Sequence, residues 1–362
     1  MNLLLIKLSA VGDVVHTLPS LSALRRLYPQ AHVTWVVEEG AADLLMGHPD
    51  LDRVLVSRRK SWMADGRQGH WKEAGKEAIA FMGALRNQPY DLVIDFHGLF
   101  KSAVLAGLSG GRRRLGYASL QEGSRLFYNE TIPEDMNKHA VDRYLDFLRH
   151  LGAVPGEPVF TMAETDENRR RVMDLLEPAG IVPGRHPFVA INPVALWETK
   201  LWDRGKFAAL ADAIGNGIGM PVVLTGSAAE KPYLDAVQAS ARRPLLNLAG
   251  KTSLRDLAAL YRLATLVVTT DSGPMHIAAA VGTPTVALFG PTDPKRTGPY
   301  GKGHTVISLG MPCSPCFRRQ CPNPLCMGGI SVERVYGVVE ESLTGGREQR
   351  GRMERKEKNG CQ

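Results

Sequence analysis

Three short stretches hold the residues whose types and spacing could do chemistry. KLSAVGDVVHTLP, from Lys7 to Pro19, follows an apolar run and opens a helix. Ser9 to Gly12 then form a βα turn whose small side chains let a ligand approach the backbone. Asp13 stands at the helix start, where aspartate often serves as an N-terminal cap. Aimed at a ligand instead, it could take the proton of an attacking hydroxyl as a general base. A displacement of that kind needs one essential carboxylate, whereas hydrolysis of a glycosidic bond normally wants two. His16, one turn later, could tune Asp13 or simply pack.

The second stretch is TLVVTTDSGPMHIAAAVGTPTVALFGPTDP, from Thr265 to Pro294. A buried strand ends at Thr269, Thr270 and Asp271, and Ser272, Gly273 and Pro274 open a helix. Its unpaired N–H groups and partial positive charge would cradle a diphosphate, and a proline near the first helical position gives up no hydrogen bond. His276, on the first turn, either donates to a phosphate oxygen or packs as a neutral side chain. Thr292 and Asp293 end the next strand at the same edge. The third stretch, NPVALWETKLWDRGKFAAL from Asn192, places Lys200 in a loop after another strand. There it could neutralise charge developing on a leaving diphosphate, or it could be an ordinary surface lysine. No DxD-type acidic pair stands in a comparable position, so no obligatory metal is expected.

These residues need sheets to position them. In the first half, strand patterns at 3–7, 32–37, 53–56 and 91–96 alternate with helical patterns at 14–28, 71–87, 99–108 and 139–151. The alternation restarts after 187, with strands at 188–192, 221–225, 245–248, 266–269 and 285–289 and helices between them. Such α/β alternation predicts two doubly wound parallel sheets, with ligands in the cleft at their carboxyl edges. The expected boundaries are a first domain over 1–155, a linker over 156–186, a second domain over 187–344 and a charged, disordered tail over 345–362.

Composition narrows the classes. With 362 residues, 44% hydrophobic and 22% charged, the chain suits two ordinary globular domains. No apolar run is long enough to span a bilayer, and the opening segment reads as a strand rather than a signal peptide, so the cytoplasm is the expected compartment. A net charge of +7 and a pI of about 9.2 favour phosphate-rich partners. Basic residues cluster around Arg58, Arg59 and Lys60, again at Arg112 to Arg114, and in the tail. They lack the interleaved aromatics of a nucleic-acid stacking platform. Four of the five cysteines, Cys313, Cys316, Cys321 and Cys326, fall in CSPCFRRQCPNPLC. In a reducing compartment this close spacing points to structural zinc, with an iron–sulfur cluster the rarer case and free thiols the alternative.

Together these blocks resemble the bacterial lipopolysaccharide heptosyltransferases of glycosyltransferase family 9, which have the two-Rossmann GT-B architecture. The resemblance runs over about 1–341 and rests on KLSAVGDVVHTLP, TKLW and TTDSGPMHIAAAVGTPTVALFGPTDP; WVVEEG, DFHGLFKSA and LFYN are most similar to the heptosyltransferase I branch. It implies an inverting transfer of heptose from ADP-L-glycero-D-manno-heptose to the Kdo region of lipid A, by a protein peripheral to the cytoplasmic face of the inner membrane. It also implies Asp13 as catalytic base and Lys200 as the diphosphate-binding lysine. Asp271, Ser272, Gly273 and His276 would form the nucleotide site, and Arg58, Arg59, Lys60 and Lys101 would meet acceptor phosphates or carboxylates. No cofactor is implied for catalysis. Two features depart from the branch: Ala195 and Leu196 stand where two threonines are usual, and the cysteine segment is more like heptosyltransferase II. A heptosyltransferase II or another family 9 acceptor is therefore the first alternative, ahead of a GT-B sugar-nucleotide epimerase or a basic nucleic-acid-binding protein.

Overall fold

A computed structural model describes residues 1–119 and 121–344; the expected tail lies outside the described residues. The chain divides into two compact units between Ala163 and Glu164. In the first unit β1 (Asn2–Ile6), β2 (His32–Glu38), β3 (Arg53–Ser57), β4 (Leu92–Asp95), β5 (Arg113–Tyr117) and β6 (Glu130–Ile132) form one sheet in the order β3-β2-β1-β4-β5-β6. In the second, β7 (Val189–Asn192), β8 (Val222–Leu224), β9 (Leu246–Asn247), β10 (Leu266–Thr270), β11 (Thr285–Leu288) and β12 (Thr305–Ile307) take the order β12-β11-β10-β7-β8-β9. All pairings are parallel. Counted from its own first strand, each sheet has the strand order 3-2-1-4-5-6 of a dinucleotide-binding fold.

The central strands are apolar throughout because helices cover both their faces. Leu3, Leu4, Leu5 and Ile6 of β1 are completely buried, as are Val189, Ala190 and Ile191 of β7. In such sheets the chain leaves adjacent central strands in opposite directions and opens a crevice at their carboxyl ends. In the first unit that point lies between β1 and β4, where Ile6 pairs with Asp95. In the second it lies between β7 and β10, where Asn192 pairs with Thr269. The Asp13 loop and the loop carrying His97 and Lys101 leave the first pair; the Lys200 loop and the Asp271–Ser272 loop leave the second.

Three strands, β5, β6 and β12, were not anticipated, because each is short or enters on charged residues. At β5 the arginines are structural: Arg113 makes two 2.9 Å bonds to Glu130 of β6, and Arg114 donates to the carbonyls of Phe127 and Gly111. The segment expected as a linker contains the Asp166–Leu176 helix, which belongs to the second unit. Val172 and Leu176, four residues apart, are fully buried, and Asn168 and Arg171 both reach the buried carboxylate of Asp256. The helix's four apolar residues, Val172, Met173, Leu175 and Leu176, are crowded into its last five positions behind a charged start and gave little sign of this packing.

Candidate functional site

Asp13 lies at the third position of the Val11–Leu27 helix, whose N-cap is Ala10. The carboxylate therefore does not cap from the first position; its Oδ2 reaches back to accept the Ala10 N–H at 3.1 Å. Its Oδ1 accepts the Tyr144 hydroxyl at 3.1 Å and stands 3.7 Å from the Lys7 ammonium. Lys7 is itself buried and donates to Tyr144 Oη at 2.6 Å and to the Phe96 carbonyl at 3.0 Å. Burial tends to raise the Asp13 pKa, but Lys7, the Ala10 N–H, His97 and Tyr144 outweigh it and hold the carboxyl below its ordinary value. With 41% of its side-chain surface open, Asp13 is at once an anchored, ionised group and an accessible one. His16 packs edge-to-face on His139, ring centroids 5.1 Å apart.

At the end of β2 a nearly buried carboxylate gathers the expected acceptor cations. Glu38 meets Arg59 at 3.2 Å, Lys60 at 3.2 Å and Lys101 at 3.3 Å. Lys101 also reaches Ser9 of the Asp13 turn at 3.5 Å. Burial raises the Glu38 pKa, but Lys101, Lys60 and Arg59 reverse the effect and keep it low. Arg58 is apart from this group: it binds Glu39 at 2.7 Å and Glu77 at 2.8 Å, while Trp62 Nε1 also donates to Glu77.

His97 was missed as a candidate. It follows β4 on a turn whose N–H groups, from His97 and Gly98, both donate to the buried Asp95. Gly98 has φ of 72°, which an L side chain rarely adopts. Burial first, then Lys7 and Lys101, push the His97 imidazole down to about 3, so it is neutral near pH 7. Among the described residues neither ring nitrogen has a hydrogen-bond partner. Glu38 and His97 lie in WVVEEG and DFHGLFKSA, so a polar residue ending or following a buried strand was the available signal.

In the second unit Lys200 bonds Asp271 at 2.7 Å, and the Thr292 hydroxyl donates to the same carboxylate. Thr270 ties the loops together by donating to the Val194 carbonyl at 2.7 Å. Ser272 is the N-cap of the Gly273–Ala280 helix, yet its hydroxyl makes no capping bond. The first N–H groups of this helix thus lie beside the lysine at one sheet edge, an arrangement suited to a diphosphate. His276 is buried on the first turn of that helix. Asp293 instead caps the short Pro294–Thr297 helix through the Lys295 N–H. The Lys200 ammonium stacks 4.5 Å from the Trp197 ring centroid.

The four cysteines, all free, line a single cavity with Thr199 and Arg318. Among the described residues no three donors already stand in a metal-binding arrangement.

Two parallel Rossmann sheets, one ending in an anchored carboxylate and the other in a lysine beside a helix amino end, define a GT-B glycosyltransferase. The chain belongs to glycosyltransferase family 9, the heptosyltransferase family, whose model matches residues 78–327. Lipopolysaccharide heptosyltransferase 1 of Pseudomonas aeruginosa is 31% identical over 373 residues, covering 95% of this chain and 98% of that protein. The family 9 glycosyl transferase of Veillonella parvula has a similar structure, with a TM-score of 0.81 and 25% identity over 95% of this chain and 97% of that one. E. coli heptosyltransferase WaaC with ADP gives 0.75 and 26%, covering 94% and 100%. The same enzyme with ADP-2-deoxy-2-fluoro heptose gives 0.72 and 25%, covering 94% and 99%.

Proposed function

We propose that this enzyme transfers heptose, with inversion, from ADP-L-glycero-D-manno-heptose to a Kdo hydroxyl of a lipid A-linked acceptor at the cytoplasmic membrane surface. The donor is inferred from the ADP and fluoro-heptose complexes of the E. coli relative, and the acceptor from the likeness to heptosyltransferase 1. Among the described residues no helix is long and apolar enough to cross a membrane, so contact with a lipid-borne acceptor is assigned to the basic groups on Glu38.

The observation that carries this reading is the Asp13 carboxylate, held ionised by Lys7 and Tyr144 with one oxygen anchored to the helix start. As the acceptor oxygen bonds to the anomeric carbon, its proton passes to Asp13 and the bond from that carbon to the diphosphate breaks. ADP leaves with the added negative charge, which Lys200 and the N–H groups from Gly273 onward stabilise. These groups take the cationic work that a divalent metal does elsewhere, so catalysis needs no cofactor in this reading. Lys200 exchanges part of its bond to Asp271 for the phosphate oxygens, and Thr292 still satisfies that carboxylate.

The test is ADP release from ADP-heptose with and without Kdo-bearing lipid A, with ADP-mannose as control donor and an already heptosylated core as alternative acceptor. Release that depends on Kdo-lipid A and shows preference for the heptose donor is expected. Equal release without acceptor, or use of only the heptosylated core, would overturn the assignment.

A further inference from the structure

The transfer chemistry leaves one group of side chains unused, the four thiols between Cys313 and Cys326. Their spacing, C-x2-C-x4-C-x4-C, places four soft donors within 14 residues. Folding brings all four onto the wall of one cavity. Cys326 is on the Leu325–Gly328 helix, which packs so closely on Gly290 that an added Cβ would meet the Met327 side chain at 2.6 Å and the Cys326 sulfur at 3.0 Å. The loop's backbone is already held from outside. Cys316 and Phe317 donate their N–H groups to the Pro291 carbonyl, at 3.0 and 2.8 Å, and Ser314 donates its hydroxyl to Gly290.

We propose that Cys313, Cys316, Cys321 and Cys326 bind one thiophilic divalent metal ion, zinc or ferrous iron, as a tetrathiolate centre that fixes the loop behind the diphosphate lysine. Each thiol gives up one proton on binding, so a divalent ion and four thiols form a dianionic centre and release four protons; nothing is oxidised. The surroundings suit that charge: Arg318 lines the same cavity, and Arg296 stacks 5.2 Å from the Phe317 ring centroid. Prolines at 312, 315, 322 and 324 restrict the unbound loop, which lowers the entropy lost when the sulfurs close on the ion.

The centre is coupled to the donor site through one strut. Thr199, the neighbour of Lys200, donates its hydroxyl to the Arg318 carbonyl at 2.7 Å, and Arg319 stacks 5.1 Å from the ring centroid of Trp197, the ring that also carries the Lys200 ammonium. Both arginines lie between the second and third cysteines. An ion that locks these cysteines thereby locks the lysine loop.

The full chain, purified under reducing conditions without chelator, is expected to carry about one zinc or iron per chain by elemental analysis, and the ratio of the two elements says which. Cys316→Ser and Cys326→Ser should each lower that content at least about tenfold. Cobalt(II) added to the chelator-stripped wild type should give the thiolate charge-transfer bands and the intense visible bands of a tetrahedral sulfur site. Stripping should also lower the melting temperature, with recovery on adding zinc, a readout that stands even if a serine variant misfolds. Metal-free reduced protein without cobalt–thiolate bands, or wild-type and variants with equal metal content, would overturn the proposal. None of these readouts involves sugar or nucleotide, so failure here leaves the transfer reading untouched, and failure of transfer leaves this one.

Discussion

At the level of single residues, Asp13 divides its two oxygens between tasks. One satisfies the helix start through the Ala10 N–H, and the other faces Lys7 and Tyr144. Asp13→Ala should lower turnover by about 10² to 10⁴, the usual worth of a general base, while the Kd for ADP, read by calorimetry, changes little. Since Asp13 is held below its ordinary pKa, its loss of charge lies beneath the pH range of a normal assay, and the rate should show no acid limb from it above about pH 5. Lys7→Met removes the main charge holding it down, so the acid limb of kcat/KM should move upward; an unmoved profile would refute the coupling. His97 makes a separate demand. Its pKa falls from 6.5 to about 3 on folding, so between those values the unfolded chain binds the extra proton. Stability should therefore fall as pH drops from about 6.5 toward 3, by up to about 1.4 kcal/mol per pH unit from this group alone. Denaturant titrations of His97→Gln across that window should show a shallower fall than wild type.

Among the secondary elements, the end of β2 and the start of the Gly273–Ala280 helix carry the two anion sites. Glu38 keeps Arg59, Lys60 and Lys101 together, and its depressed pKa contributes stability that is present above about pH 4.3 and lost as pH falls through the lower folded value. Glu38→Gln should cost stability at neutral pH, about 1 kcal/mol because the three cations are partly solvated, and erase that acid-side loss. It should also raise the acceptor KM more than it changes the KM for ADP-heptose, because the cations lose their common anchor. Lys200→Ala acts at the other edge. It should weaken both ADP binding and turnover, and because it strips the nearly buried Asp271 of its cation it should lower the melting temperature as well. Asp13→Ala strips the buried Lys7 of its carboxylate in the same way and should lower it too. The turn, strand and helix order around both loops was legible because Gly, Pro and Asp punctuate apolar runs there. The packing of the Asp166–Leu176 helix on the second unit and the strand β5 were not, since the contacts that hold them come from residues distant in sequence.

For the molecule as a whole, the net charge of +7 should act on the anionic acceptor more than on chemistry. Raising salt from about 50 to 500 mM shortens the screening length to a few ångströms, so the acceptor KM should rise severalfold while kcat stays nearly constant. A salt-independent KM would remove the electrostatic part of acceptor recognition.

The sequence by itself determined the fold class, because buried parallel strands must be apolar and helices must punctuate them, and it placed Asp13, Lys200 and the Asp271–Gly273 turn after strand ends, where crevices form. Only the tertiary structure decided their partners. Tyr144 lies 131 residues from Asp13, Asp271 lies 71 residues from Lys200, and Glu38 meets Lys101 across 63. Local patterning specifies elements, but a pKa, an ion pair or a shared thiol cavity depends on which distant elements the sheet brings side by side, and no periodicity along the chain records that.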